Sequence, residues 1–107
     1  MELLTAELRA QLPPLYSQEN EADPIVYCKF FTPWSNWTWF VTEGQSDAND
    51  FLFFGYVCGL EEEWGYFVLS ELESVNGPAG LTIERDLYFT LGPFSEVIRR
   101  YRQERGG

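Results

Sequence analysis

Between Pro24 and Ser70 the chain carries four runs dense in β-branched and aromatic residues: IVYCKFFT (25–32), NWTWFVTE (36–43), FLFFGYVCG (51–59) and WGYFVLS (64–70). Such runs bounded by turn residues read as strands. The connections between them are Pro33 to Ser35, Gly44 to Asp50 and Leu60 to Glu63. Parallel neighbours need a crossover of about a dozen residues or more, so connections this short predict an antiparallel meander. In the second run Trp37, Trp39 and Val41 alternate with Thr38, Phe40 and Thr42, which predicts one face turned to a core.

The flanks are helical. Leu4, Leu8, Leu12 and Leu15 form one stripe of an amphipathic helix, with Thr5 as its N-cap and Pro13 and Pro14 as its stop. Residues 16–24 read as a polar, acidic loop. Ser70 to Val75 reads as a short helix, because Ser70 and Glu73 have capping-box spacing. Asn76, Gly77, Pro78 and Gly80 make a turn, and residues 81–91 read as a fifth strand or extended segment. Pro93 opens a terminal helix with Phe94, Val97, Ile98 and Tyr101 on its apolar side. The expectation is a single α+β domain over residues 1–107. A four- to five-stranded antiparallel sheet carries N-terminal and C-terminal helices packed on it.

Aromatic residues make up 18% of the 107, enough apolar area to close a core without staples. Cys28 and Cys58 sit in apolar runs with no export signal ahead of them. They are therefore expected to be unpaired thiols of a cytoplasmic protein. No apolar stretch approaches the length of about 20 residues that spans a bilayer.

Enzyme readings fail on missing parts. The chain has no histidine and its one lysine, Lys29, lies inside a strand run, so the usual general bases and nucleophile activators are missing. Glu71 with Glu73, or Glu84 with Asp86, could in principle serve metal-dependent phosphodiester cleavage, but an anionic body is a poor host for phosphates. Asp47 with Asp50, and the run Glu61 to Glu63, are the weak metal candidates, and neither has the spacing of a calcium loop. Cys28 and Cys58 lack the paired spacing of a zinc site. No catalysis, cofactor or metal is expected.

Charge is the remaining signal. Seventeen acids oppose seven bases, a formal net charge of −10. The first 98 residues hold sixteen acids against Arg9, Lys29 and Arg85; the last nine carry Arg99, Arg100, Arg102 and Arg105 against Glu104. A body of −13 with a tail of +3 repels nucleic acid and anionic membranes and attracts basic protein surfaces. The terminal arginines complement a helix dipole or fold back on the anionic body. The acidity itself has two readings, solubility, or an array of carboxylates imitating duplex phosphates. The expected contact residues are Glu61, Glu62 and Glu63 in a tight connection, then Glu19, Glu21, Asp23, Asp47 and Asp50 on longer loops. Trp34, in a turn, is the candidate apolar contact.

The order of motifs resembles a family known as domain of unknown function 2958. The segments that carry it are LLTAELRAQLPPLY, DPIVYCKFFTPWSNWTWFVTE, DFLFFGYVCGLEEEWGYFVLSELESVNGP and GLTIERDLYFTLGPFSEV, roughly residues 3–97. The basic tail 98–107 looks like an extension beyond that core. Members of the family sit on plasmids, conjugative elements and phages, and some look like anti-CRISPR proteins that inhibit the nuclease of type II systems. The resemblance implies host-defence evasion in a bacterial cytoplasm, by stoichiometric contact with the CRISPR effector nuclease and no direct nucleic-acid binding. The nuclease's positively charged channels would be the target of an acidic mimic. The alternative it leaves is an accessory adaptor or regulatory protein of plasmid or phage DNA metabolism.

Overall fold

The structure, a computed structural model, describes residues 1–105. In chain order the elements are α1 (Ala6–Gln11), β1 (Ile25–Val26), β2 (Cys28–Phe31), β3 (Thr38–Asp47), β4 (Asp50–Cys58), β5 (Glu62–Val68), α2 (Leu69–Ser74), a 3-10 turn (Pro78–Gly80), β6 (Glu84–Arg85), β7 (Gly92–Pro93) and α3 (Phe94–Glu104). Five strands form an antiparallel sheet in the order β5-β4-β3-β2-β6, and β1 pairs with β7 beside it. The α+β meander expected from the strand runs is the fold.

Both faces of the sheet are covered, where alternation in β3 had pointed to one. Leu4, Leu8 and Leu12 around α1 join Phe30, Val41, Phe53, Leu72 and Ile83 on the first face. On the second, Val97, Ile98 and Tyr101 of α3 pack on Val26, Phe40 and Cys58. Tyr101 meets Phe40 edge to face at 5.2 Å. Burying side chains of this size stabilises by about 1.5–3 kcal/mol each. Residues 98–104 of the expected tail are thus the last turns of α3, with Ile98 and Tyr101 facing the core; the last two residues of the chain lie outside those described. Cys28 and Cys58 are free and buried in separate clusters. Burial pushes the Cys28 thiol far up and the Cys58 thiol up to about 11.

Several sequence expectations are corrected. Thr5 does cap α1, its hydroxyl accepting the Leu8 N–H at 3.1 Å. The Gly44 to Asp50 loop, however, is mostly strand: β3 runs to Asp47, which pairs with Asp50 across a two-residue turn. Its polar composition had suggested a loop, but Phe51 to Phe54 supply the pairing partners that hold it extended. The fifth run contracts to Glu84–Arg85, the rest of 81–91 being irregular. The first run divides at Tyr27, whose N–H donates to the Val41 carbonyl. The Ser70–Glu73 capping box does not form, because α2 begins at Leu69 and the Ser70 hydroxyl donates to Asp50.

Opposite the irregularity in β3, Gly55 pairs with Val41. A Cβ built there would collide with the Phe40 carbonyl, whereas one at Gly65 meets nothing within 4 Å. Gly55→Ala is expected to cost about 1–3 kcal/mol through forced backbone displacement. Gly65→Ala should leave stability unchanged or raise it by up to about 1 kcal/mol. Urea unfolding of the two variants beside the parent checks both.

Candidate functional site

Partner residues on adjacent antiparallel strands project to the same face. Phe40 pairs with Tyr56 and Val41 with Gly55, but Glu43 pairs with Phe54, so one residue is inserted between Val41 and Glu43. Unbroken alternation would aim Glu43 at the Val41 face, among Phe51 and Phe53. The bulge reverses the phase and turns it to the other face. There its carboxylate, only 4% exposed, accepts the Tyr16 and Gln18 N–H groups, both at 2.8 Å.

Gln18 completes the tie. Its Nε2 donates to the Ile25 and Thr42 carbonyls at 3.0 and 2.9 Å, and its Oε1 accepts the Ile25 N–H at 2.7 Å. Leu15 N–H donates to Gln45 Oε1 at 3.1 Å. The segment 16–24, expected as a polar, acidic loop, is therefore pinned to β3 and β1 through Tyr16 and Gln18. Tyr16 is held in the left-handed region at φ 71°, a conformation that costs a non-glycine residue about 1–2 kcal/mol.

Between this pinned segment and the sheet lies a groove of about 390 Å³. One wall is Tyr16, Gln18, Glu19, Glu21, Ala22 and Pro24; the floor and far wall are Thr42, Glu43, Phe54, Trp64 and Tyr66. The Phe54 and Trp64 rings stack at 5.8 Å with planes 13° apart, and Tyr66 leans on Phe54 at 4.9 Å. Phe94 of α3 packs against the Trp64 ring at 4.7 Å and the Tyr56 ring at 4.9 Å. Trp64 and Tyr66 remain 39% and 53% exposed. The Tyr66 phenol is raised above its ordinary value, first by its hydrogen bond with Tyr16, then by burial and the nearby charges, Glu43 and Glu19 among them. Exposed aromatic faces flanked by carboxylates form a receptor for an ammonium or guanidinium group.

The residues expected to make contact do not converge. Glu19 and Glu21 line the groove. The expected Glu61 to Glu63 connection is shorter, because β5 begins at Glu62: Glu61 is exposed in the β4–β5 turn and Glu63 is exposed on β5, while Glu62 pairs with Arg102 at 2.8 Å and accepts from the Tyr56 hydroxyl. Asp47 and Asp50 lie at the opposite end of β4, whose nine residues span about 27 Å at ~3.4 Å per step. Asp23 and Asp50 serve the fold. Neither α3 nor α2 has a side-chain cap of its own. Asp23 accepts the Ser95 N–H at 2.8 Å and its hydroxyl at 2.6 Å, and Asp50 accepts from Ser70 in the same way. Trp34 is partly buried, its ring lying over Gly77 against the first core. Among the described residues no three His, Cys, Asp or Glu side chains could hold a metal, and no helix is long and apolar enough to cross a membrane. Tyr16, Glu43, Phe54 and Tyr66 were not among the residues expected from sequence.

A family described as protein of unknown function (DUF2958) matches residues 3–105, so the match extends through α3, past the expected limit at residue 97. No curated protein and no solved structure matches the chain.

Hydrogen bonds from Ser95 and Ser70 hold the Asp23 and Asp50 carboxyls below their ordinary value of 3.8. A carboxyl lowered on folding stabilises fully above its unfolded pKa, and that contribution fades as pH falls through the lower folded value. Asp23→Ala and Asp50→Ala should therefore each be less stable than the parent at neutral pH, with the gap narrowing in acid below 3.8. Denaturant midpoints across that range test it; a gap independent of pH would contradict the assignment.

Proposed function

This chain belongs to the family of proteins of unknown function DUF2958, and we propose that it acts by stoichiometric binding to a basic protein surface, without catalysis. The observation that carries the reading is the groove: stacked aromatic faces opposite Glu19 and Glu21, on a wall fixed by Glu43 and Gln18. A partner's arginine or lysine entering it would gain a cation–aromatic contact and a carboxylate partner together. Because the wall is pinned, little ordering entropy would be lost on docking. That reverses the ranking expected from sequence, in which the tight Glu61 to Glu63 turn came before the 16–24 segment.

The partner we propose is the type II RNA-guided DNA nuclease of a host bacterium, which the protein would inhibit in the service of a mobile element. Two things support it: the resemblance of some family members to such inhibitors, and the net charge of −10, which suits the nuclease's positively charged channels. Attraction of this kind does not require carboxylates spaced like duplex phosphates.

Titrating the protein into purified nuclease, with and without preloaded guide RNA, tests the proposal. Cleavage should fall to a floor at a fixed molar ratio. Glu19→Gln with Glu21→Gln and Tyr66→Ala should weaken association by about tenfold to a hundredfold. Changing Glu61, Glu62 and Glu63 to Gln should chiefly flatten its salt dependence. Association that leaves cleavage intact would move the assignment to an accessory adaptor. Turnover at substoichiometric protein would overturn non-catalytic binding.

A further inference from the structure

The two edges of the sheet are finished differently. At one edge β6 is two residues long, Arg85 donates to the Glu2 and Leu3 carbonyls, and Lys29 pairs with Asp86 at 3.8 Å. That edge is short and charged, as sheet edges must be to resist pairing with other chains. At the other edge β5 presents seven residues in unbroken register with β4. It contains no proline and no bulge, and the glycine at its centre, Gly65, has open space where a side chain would stand. Among the described residues, the main chain of Glu62–Phe67 makes no turn, loop or cap bond, and β5 has β4 as its one neighbour in the sheet. Alternate N–H and C=O groups of β5 therefore face outward without a protein partner.

This open edge borders the groove. Trp64 and Tyr66 belong to β5 and also line the groove, so a strand laid along β5 would place alternate side chains beside these rings. Glu62 and Glu63 stand at the start of the edge, and Glu19 and Glu21 face it from the opposite wall.

Resting on the reading of the groove as a receptor for basic side chains, we infer that β5 takes an extended segment of the partner protein as a sixth strand, with alternate lysines or arginines entering the groove. Main-chain hydrogen bonds supply affinity in strand addition, and the pockets beside the edge supply selectivity. Charge decides the occupant. A second copy would bring −10 against −10, whereas a basic segment is drawn to the carboxylates at the start of the edge and on the opposite wall.

The test uses the intact protein and a short peptide of alternating lysine and threonine, followed by amide NMR. The peptide should bind, shift the β5 resonances and slow exchange of the outward amides of β5. N-methylation of alternate peptide amides preserves every charge and side chain but removes main-chain donors. In at least one of its two phases it should weaken binding by about tenfold or more. Binding indifferent to methylation in both phases, with β5 amides unprotected, would overturn strand addition while leaving the groove reading intact. Failure of the unmethylated peptide to bind would overturn both. Equal binding of a glutamate–threonine peptide would overturn the basic occupant, and concentration-dependent dimerisation protecting β5 would assign the edge to a second copy.

Discussion

A charged group can remain inside a protein only if hydrogen bonds replace the water it has lost. Glu43 meets that condition by accepting two main-chain N–H groups from residues 27 and 25 positions earlier in the chain. The bulge before it decides that it does so on the second face and not among the phenylalanines of the first. Gly55 makes the bulge possible, because a side chain there would collide with the Phe40 carbonyl. The pinned segment, one wall of the groove, is held by this carboxylate together with the Gln18 and Gln45 side chains. Losing these two charge-assisted bonds from a partly exposed segment would cost about 1.5–3 kcal/mol each.

The remaining acids fall into distinct roles. Asp23 and Asp50 cap helices from distant positions in the chain, and the energy of each such contact is local. Glu62 holds Arg102 and thereby helps seat α3 over the second face. Of the acids expected to make contact, Glu19, Glu21, Asp47, Glu61 and Glu63 carry no such structural bond and are left to meet a partner. A net charge of −10 thus overstates how many carboxylates are available for recognition. It does not overstate the long-range attraction, to which every charge contributes.

The meander was legible because its signals are local. Four aromatic runs with short connections leave few alternatives, and Thr5 marks the start of α1 by a contact three residues away. The site was illegible because it is made by long-range pairings. Ser70 and Glu73 satisfied the capping-box spacing, yet Asp50, paired in the adjacent hairpin, reached Ser70 first. The Gly44 to Asp50 stretch looked like a loop because its polar side chains do not reveal that Phe51 to Phe54 lie opposite. One signal for Glu43 was present: an acid continuing a strand run of aromatic and β-branched residues, followed by Gly44. Reading it required knowing that the alternation shifts by one residue at Thr42, which backbone register alone records.

Hydrogen exchange at the Tyr16 and Gln18 amides measures the central constraint directly. If the Glu43 carboxylate closes the groove, both amides exchange as slowly as those of β3, although they lie in an irregular surface segment. In Glu43→Ala they should exchange at the rate of an open loop while β3 stays protected. Fast exchange of both amides in the parent, or protection that survives Glu43→Ala, would contradict the account.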